Sequence, residues 1–151
     1  MNVGAVCKHK VVTVTARTDL IAAAKLMRDK HVGFLVVVEP ESNATYGRPV
    51  GVLTDRDIVV CVVAKGGSPT ELIVGDIMNQ GPALVEETES LDQALQTMRR
   101  MGVRRLPVIG PRGMLTGIVS LDDVIDVLAR EIGEVSGAVK NEQRIEDVLR
   151  S

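Results

Sequence analysis

Two copies of one short polar motif carry the clearest chemistry in the sequence. Thr54 is followed three residues later by Asp57, and Ser120 by Asp123, and each pair comes directly after an apolar run that begins with glycine. At a junction between strand and helix, a hydroxyl and the unpaired amides of the first helical turn can hold a phosphate. The aspartate can accept hydrogen bonds from both hydroxyls of a ribose. The motif therefore predicts a nucleotide-binding crevice, or else a helix N-cap worth about 1 kcal/mol.

Basic side chains lie close in sequence to both motifs. Arg104 and Arg105 belong to an apolar segment that we predict to be a strand, so alternation sends one side chain to each face and at least one to the crevice. The alternative is that both are solvated charges at a sheet edge. Arg56 lies inside the first motif, where it either supplies a cation or pairs with Asp55 or Asp57. We rank it below the other two.

The two motifs belong to an internal repeat. Met27 aligns with Met98 at an offset of 71 residues, and the same register pairs Val3-Gly4 with Val74-Gly75. Beyond residues 39–49 the offset falls to 66, because the first copy holds five more residues there. This segment is rich in Pro, Gly, Asn and Ser, which is typical of an exposed loop.

Both copies show the same order of elements. A short apolar strand comes first, then an amphipathic helix of about three turns, two further strands and a second helix. Asp19 and Ser90 occupy the N-cap positions of the first helices, and Gln93 completes a capping box with Ser90. We predict an α/β (α+β) fold with a first repeat over residues 1–70 and a second over 71–130. The tail, 131–151, adds a helix, serves as a docking segment or is an ordinary packed or frayed terminus.

Composition argues against several classes of function. The 151 residues include 18 Lys and Arg against 20 Asp and Glu, so no overall positive charge attracts nucleic acid or an anionic membrane. Aromatic residues make up 1% of the chain, too few for stacking on bases. Every apolar run is interrupted before the roughly 18 residues of a membrane span. The first residues lack the pattern of a secretory signal, so we expect a cytoplasmic protein.

No group of residues suits catalysis or metal binding. His9 and His31 are not part of any metal-ligand spacing with Cys, Asp or Glu. Cys7 and Cys61 are too few for a disulfide framework and lie in apolar segments, as buried thiols do. The sequence contains neither a Gly-x-Ser-x-Gly motif nor a Walker-type loop. We therefore predict a protein that is not an enzyme, with no catalytic residues and no metal.

The repeat closely resembles a known family, the CBS domain, and two copies in tandem are similar to a Bateman module. The resemblance covers roughly residues 3–130 and rests on three segments: Gly51-Val52-Leu53-Thr54-Asp55-Arg56-Asp57, Gly117-Ile118-Val119-Ser120-Leu121-Asp122-Asp123 and Gly102-Val103-Arg104-Arg105-Leu106-Pro107-Val108. It implies two α/β units packed through their sheets as one pseudo-symmetric module. It also implies two clefts, which bind adenosine-containing ligands in many relatives. It does not imply catalysis.

The resemblance implies further roles for residues around the clefts. In kinase-regulating relatives, basic residues at the positions of Arg104 and Arg105 contact phosphates, whereas the first copy has Gly33 and Phe34 there. The two clefts are therefore expected to be unequal. Cross-packing of the repeats implies that the first strand of one copy closes the cleft of the other. The residues in question are Val11, Val12 and Thr13 at the Asp123 cleft, and Pro82, Ala83 and Leu84 at the Asp57 cleft.

We therefore predict a regulatory module that binds AMP, ADP or ATP and changes a partner protein or its own assembly in response. The alternative is an interaction protein whose clefts bind no ligand and whose helices build an oligomer. Residues 57–64 are apolar at nearly every helical azimuth, so another subunit is expected to cover part of that surface. The resemblance implies that this assembly is a homodimer.

Overall fold

Two mixed sheets organise the computed structural model, which describes residues 1–151. The first sheet contains, in spatial order, β1 (Thr13–Val14), β2 (Phe34–Glu39), β3 (Arg48–Thr54) and β4 (Asn79–Gln80). The second contains β5 (Val85–Glu86), β6 (Arg105–Ile109) and β7 (Leu115–Ser120). In both sheets the first strand is parallel to the second, and the second is antiparallel to the third.

Six helices flank the sheets. They are α1 (Val3–Val6), α2 (Leu20–Lys30), α3 (Asp55–Ile58), α4 (Val74–Ile77), α5 (Leu91–Met101) and α6 (Leu121–Arg150). A π-helical turn over Val59–Val63 extends α3, and single 3-10 turns lie at Pro69–Glu71 and Pro111–Gly113. Each repeat thus has the predicted order strand-helix-strand-strand-helix, preceded by a one-turn helix that the sequence analysis did not anticipate. The α/β fold built from two repeats is confirmed.

The first long helices of the two repeats begin differently. The Ser90 hydroxyl accepts from the Gln93 N–H at 3.1 Å, and the Gln93 side chain accepts from the Ser90 N–H at 2.8 Å, so the predicted capping box is present. Asp19, in contrast, makes no side-chain cap hydrogen bond. The Leu20 N–H is bonded instead to the Leu72 carbonyl, at 3.0 Å. Asp19 thus occupies the predicted N-cap position of α2, but its side chain does not cap the helix.

Each repeat has a core of nine buried residues, and each core includes residues of the other repeat. The second core contains Val3 and Cys7 from the start of the chain, packed with Val85, Ala94, Met98, Leu106, Val108, Val119 and Val124. The first core contains Val74 from the second repeat, packed with Val14, Leu20, Ala23, Met27, Leu35, Val37, Leu53 and Val62. The one-turn helices are therefore exchanged between the two repeats.

Main-chain hydrogen bonds hold the exchanged segments. The Val3 N–H donates to the Glu89 carbonyl, and at the equivalent place in the other repeat the Val74 N–H donates to the Thr18 carbonyl, both at 2.8 Å. Lys8 pairs with Ile118 of β7 through two hydrogen bonds of 2.8 and 2.9 Å. Asn79 of β4 lies opposite Val52 of β3 in the same way. The module is thus pseudo-symmetric down to individual residue pairs.

The two sheets pack against each other through a smaller third cluster. Val36 and Val38 of β2 contact Leu115 of β7, and Phe34 and Tyr46 pack at the edge of this group. The loop that carries the extra residues of the first repeat joins the contact, because the Leu115 N–H donates to the Gly47 carbonyl at 2.8 Å. The predicted packing of the repeats through their sheets is therefore present.

The last helix, α6, runs well beyond the second core. Its buried residues, Asp123, Val124 and Val127, all lie in the first two turns, and every residue from Leu128 onward is exposed. Residues 131–150 of the tail form the remainder of this helix. None of the helices combines the length and the apolar character that a membrane span requires.

We expect the two repeats to unfold together, because neither core is complete without the other repeat's helix. Leu35→Ala and Leu106→Ala remove fully buried side chains and should each lower the free energy of unfolding by about 2–5 kcal/mol. Leu149→Ala, at a position that is 81% exposed, is the matched control and should change it by less than about 0.5 kcal/mol. Urea unfolding followed by circular dichroism and by the fluorescence of Tyr46 should give one transition in every variant. Two separate transitions would contradict the shared cores.

Cys7, in the exchanged segment, gives a prediction about pH. Burial raises the pKa of the Cys7 thiol, and the nearby carboxylates of Glu87 and Asp123 raise it further. The folded protein therefore keeps the thiol proton to higher pH than the unfolded chain does. The free energy of unfolding should decline as the pH rises through roughly 8.5, the ordinary thiol pKa, and Cys7→Ala should remove this part of the decline. Chemical denaturation of the wild type and of Cys7→Ala between pH 7 and pH 10 measures the decline. Identical pH profiles of the two proteins would contradict the prediction.

Candidate functional site

The second polar motif lies at the junction of β7 and α6. The Ser120 N–H donates to Asp123 Oδ2 at 2.9 Å, and the Ser120 hydroxyl accepts from the Asp123 N–H at 3.1 Å. These reciprocal bonds form a capping box that starts the helix. They also hold the Asp123 carboxylate in place at a position that is only 8% exposed. The capping interpretation of this motif is correct, and it leaves the second carboxylate oxygen available.

That second oxygen, Asp123 Oδ1, faces a lysine from the other repeat. The ammonium of Lys8 lies 3.6 Å from Asp123 Oδ1, and its side chain is 73% exposed. The distance exceeds that of a charge-assisted hydrogen bond, which is usually 2.7–2.9 Å, so the contact is a loose ion pair. Oδ1 accepts no hydrogen bond from within the chain.

A cleft of about 310 Å³ opens in front of Asp123, between the two repeats. Its polar wall carries three permanent cations, Lys8, Lys10 and Arg105, together with the carboxylates of Asp122 and Asp123. The remaining lining residues are Val11, Val12, His31, Val32, Gly33, Phe34, Ile118 and Ser120. A free carboxylate oxygen beside cations and aliphatic walls suits a ligand that has hydroxyl donors, an anionic group and an apolar face.

Most of the residues predicted for this cleft are brought together there. Ser120, Asp123, Arg105, Val11 and Val12 all line it. The remaining two do not.

Arg104 and Thr13 lie outside the cleft lining. Arg104 is exposed, and its guanidinium lies 3.8 Å from the carboxylate of Asp122. Arg104 lies directly before β6, which begins at Arg105, and only Arg105 faces the cleft. Thr13 belongs to β1, where it is paired with Val36, so the wall of the cleft formed by this segment ends at Val12.

The first polar motif repeats this arrangement at the junction of β3 and α3. The Thr54 N–H donates to Asp57 Oδ2 at 2.9 Å, and the Thr54 hydroxyl accepts from the Asp57 N–H at 3.1 Å. The residue that reaches across from the other repeat is Asn79, whose amide donates to the same Oδ2 at 3.0 Å. Arg56 is exposed and forms no ion pair with either neighbouring aspartate. Its predicted alternative role, pairing with Asp55 or Asp57, is therefore not realised.

The segment predicted to close the Asp57 cleft leads from β4 into β5. Pro82, Ala83 and Leu84 are all half-buried there, and Ala83 packs against the second core. The segment begins three residues after Asn79, so it lies close along the chain to the contact with Asp57. This is the counterpart of Val11 and Val12, which follow Lys8 in the first repeat.

Besides Asp122, which lies inside the second motif, three polar residues of the Asp123 cleft were missed by the sequence analysis. Lys8 and Lys10 precede the first strand, and His31 follows α2, where its backbone is left-handed with φ of 55°. No motif includes them. The offset of 71 residues could have indicated Lys8, because it aligns Lys8 with Asn79 and so marks both as equivalent positions before the first strand.

Tyr46 fixes the backbone that carries the aliphatic wall of the cleft. Its hydroxyl donates to the His9 carbonyl at 2.6 Å and accepts from the Val11 N–H at 3.1 Å. The imidazole Nδ1 of His9 lies 3.0 Å from the Thr116 carbonyl, which ties the same segment to β7. The loop with the extra residues thus positions one wall of the cleft.

No three side chains of His, Cys, Asp or Glu come together as a metal site in the chain. Two such side chains approach each other at Cys7 and His9, where Cys7 Sγ lies 3.9 Å from His9 Nε2.

Comparison with known sequences gives a family match over most of the chain. The profile of the CBS domain matches residues 3–64 and 74–130. A protein of Methanopyrus kandleri is 35% identical over 127 residues, which is 84% of this chain and 62% of that protein. Hypoxic response protein 1 of Mycobacterium tuberculosis is 33% identical over 124 residues, which is 82% of this chain and 78% of that protein. The chain thus spans less than two thirds of the length of the Methanopyrus kandleri protein and more than three quarters of the length of Hypoxic response protein 1.

Comparison with solved structures agrees. Hypoxic Response Protein I, solved with two coordinated zinc ions, has a TM-score of 0.72 and 30% identity, covering 83% of this chain and 98% of that chain. A CBS domain protein from Pyrobaculum aerophilum, complexed with AMP, has a TM-score of 0.71 and 25% identity, covering 82% of this chain and 89% of that chain. With the internal repeat and the exchanged helices, these matches show that the chain belongs to the CBS domain family, as a tandem CBS pair.

Proposed function

We propose that this CBS pair is a regulatory module whose Asp123 cleft binds an adenine nucleotide, AMP, ADP or ATP. The observation that carries the proposal is the Asp123 carboxylate, which is buried and fixed by Ser120 while one oxygen stays free beside three cations. The AMP complex of the Pyrobaculum aerophilum relative supports the same class of ligand. In this proposal the nucleotide acts as a signal and not as a substrate.

In the proposed complex, the ribose and the phosphates contact different residues of the polar wall. Asp123 Oδ1 accepts from the ribose hydroxyls, since Oδ2 is already bonded to the Ser120 N–H. Arg105 and Lys10 attract the phosphates, and the guanidinium fork of Arg105 suits two phosphate oxygens at once. The start of α6 adds partial positive charge, since this 30-residue helix begins at the same junction.

The adenine ring contacts the aliphatic wall and the backbone of Val11. The Val11 N–H is bonded to Tyr46, and the Val12 carbonyl accepts from the Val36 N–H at 3.3 Å. The Val11 carbonyl accepts no hydrogen bond from within the chain. A free carbonyl matches the exocyclic amino group of adenine, which is a donor. Val12, Val32 and Phe34 supply the apolar surface against the ring.

The Asp57 site is the weaker one in this proposal. Thr54 and Asp57 repeat the motif, with Arg56 as the nearest cation and with Pro82, Ala83 and Leu84 beside the base. We assign the stronger nucleotide binding to Asp123 because three cations, Lys8, Lys10 and Arg105, line its cleft, even without Arg104.

Replacement of Asp123 tests the proposed function. Asp123→Ala removes charge-assisted hydrogen bonds to ribose, worth about 1.5–3 kcal/mol each, so ATP affinity should fall at least roughly tenfold, and Asp57→Ala should lower it less. Asp126→Ala, an exposed carboxylate one turn further along α6, is the matched control and should leave the affinity unchanged. Isothermal titration calorimetry measures all four proteins.

Asp123→Asn separates binding from folding, because the amide oxygen can still accept from the Ser120 N–H while the charge is lost. A loss of affinity in this variant at unchanged melting temperature supports the proposal. Equal losses in the Asp57 and Asp123 variants, or no nucleotide binding by the wild type, would contradict it. The second result would favour the alternative, an interaction protein whose clefts bind no ligand.

Self-association is the second part of the proposal, and the exposed valines of the π-helical turn favour it. Val59, Val60 and Val63 are 56%, 44% and 66% exposed. The other side of the same segment packs on the first core through Ile58 of α3 and Val62 of the π-helical turn. Exposed apolar surface of this kind marks an interface, and a closed homodimer is the commonest assembly that covers one.

Sedimentation velocity at micromolar concentration should therefore give twice the chain mass of 16.2 kDa. Val63→Asp places a charge in the apolar patch and should shift the protein toward the monomer, because burying an unpaired charge is costly. Thr70→Asp, at an exposed position in the neighbouring 3-10 turn, is the control. A monomeric wild type, or a Val63→Asp dimer as tight as the wild type, would contradict the homodimer.

A further inference from the structure

The two exchanged segments deliver different side chains to equivalent places. Lys8 and Asn79 are related by the internal offset of 71 residues, and both lie opposite the last strand of the other repeat, at Ile118 and Val52. From there each reaches the aspartate of that repeat's polar motif. Lys8 is thus to Asp123 what Asn79 is to Asp57.

The two contacts compensate the carboxylate charge in different ways. Asn79 donates a neutral hydrogen bond of 3.0 Å to Asp57 Oδ2, the same oxygen that the Thr54 N–H contacts. Lys8 instead places a full positive charge 3.6 Å from Asp123 Oδ1, the oxygen that is otherwise free. Lys8 therefore occupies the side of Asp123 that a ribose needs, whereas Asn79 leaves that side of Asp57 open.

Lys8 is able to move off Asp123 at small cost. Its side chain is 73% exposed, and the long ammonium-to-carboxylate distance means that no well-formed hydrogen bond is broken. Lys10 and Arg105 line the same cleft, and neither forms an ion pair. Only an anionic group on the ligand can therefore replace the ion pair that the Lys8 ammonium loses when it moves away from Asp123.

We propose that Lys8 makes the Asp123 cleft selective for phosphorylated over unphosphorylated adenosine; this inference rests on the proposed nucleotide binding. When the ribose takes Asp123 Oδ1, the Lys8 ammonium transfers from the carboxylate to a ligand phosphate. Adenosine has no phosphate, so its binding breaks the Lys8–Asp123 ion pair and the Lys8 ammonium gains no new anionic partner. The same exchange disfavours cationic adenosyl ligands, because their positive group meets Lys8, Lys10 and Arg105 together.

The test compares ATP with adenosine in wild type and in Lys8→Asn, which installs the residue of the equivalent position. We expect Lys8→Asn to lower ATP affinity about 2- to 5-fold, in the range of an exposed ion pair, and to leave adenosine affinity unchanged or slightly higher. The ratio of the two affinities should fall by at least the same factor. The dependence of ATP affinity on salt should also weaken, since one phosphate contact is lost.

Two further variants make the result specific. Lys8→Arg keeps the charge and should keep the ratio, and Lys65→Asn removes an exposed lysine outside both motifs and should change nothing. Melting temperatures measured without ligand show whether Lys8→Asn alters the fold. If they are unchanged, a change in the affinity ratio reflects the lost ammonium and not a folding defect. Calorimetry with each ligand reports both affinities on the same protein.

The outcomes separate this inference from the proposed function. A wild type that prefers ATP, with an unchanged ATP-to-adenosine ratio in Lys8→Asn, overturns the role of Lys8 and leaves nucleotide binding intact. A wild type that binds both ligands equally overturns the selectivity. A wild type that binds neither ligand overturns the proposed function and the inference with it.

Discussion

The exchange of one-turn helices between the repeats is the constraint on which the rest of the molecule depends. A short helix is marginal by itself, so α1 and α4 owe their existence to the cores that they enter. Val3 and Val74 are fully buried, each in the core of the other repeat. Because each repeat completes its partner, the relative position of the two sheets is fixed by packing and main-chain bonds, and the crevice between them has a defined width.

Because of this exchange, a segment of one repeat lies very close to the last strand of the other. This close approach explains why the apolar run before each polar motif contains a glycine. A Cβ on Gly117 would lie 2.7 Å from the Lys8 carbonyl oxygen, and a Cβ on Gly51 would lie 2.9 Å from the Asn79 carbonyl oxygen. Neither backbone can give way, since both segments are hydrogen-bonded to the strands that carry these glycines. The glycine therefore admits the crossing segment. The hydroxyl and the carboxylate of the motif lie further along the same strand and helix.

The sequence was sufficient for the parts of the fold and site that depend on local pattern. The internal offset, the capping box at Ser90 and the two aspartates after β3 and β7 could all be predicted from residue types and spacing. The contact of Lys8 with Asp123 could not be predicted, because the two residues are 115 positions apart and the internal offset shows only that Lys8 and Asn79 are equivalent. Arg104 shows the same limit, since the expected alternation of side chains did not say whether Arg104 or Arg105 faces the cleft.

The capping and ligand interpretations of Asp123 are compatible, because a carboxylate has two oxygens and the fold uses them separately. Oδ2 closes the capping box with Ser120 and thereby fixes the rotation of the group. This leaves Oδ1 directed at the cleft, with no rotational freedom to be lost when a hydroxyl binds it. At Asp57, Oδ2 takes both the Thr54 N–H and the Asn79 amide, so the charge is spread over two neutral donors on one side. The capping box therefore fixes the orientation of each carboxylate. The residue contributed by the other repeat, Lys8 or Asn79, determines how strongly that carboxylate attracts a ligand hydroxyl.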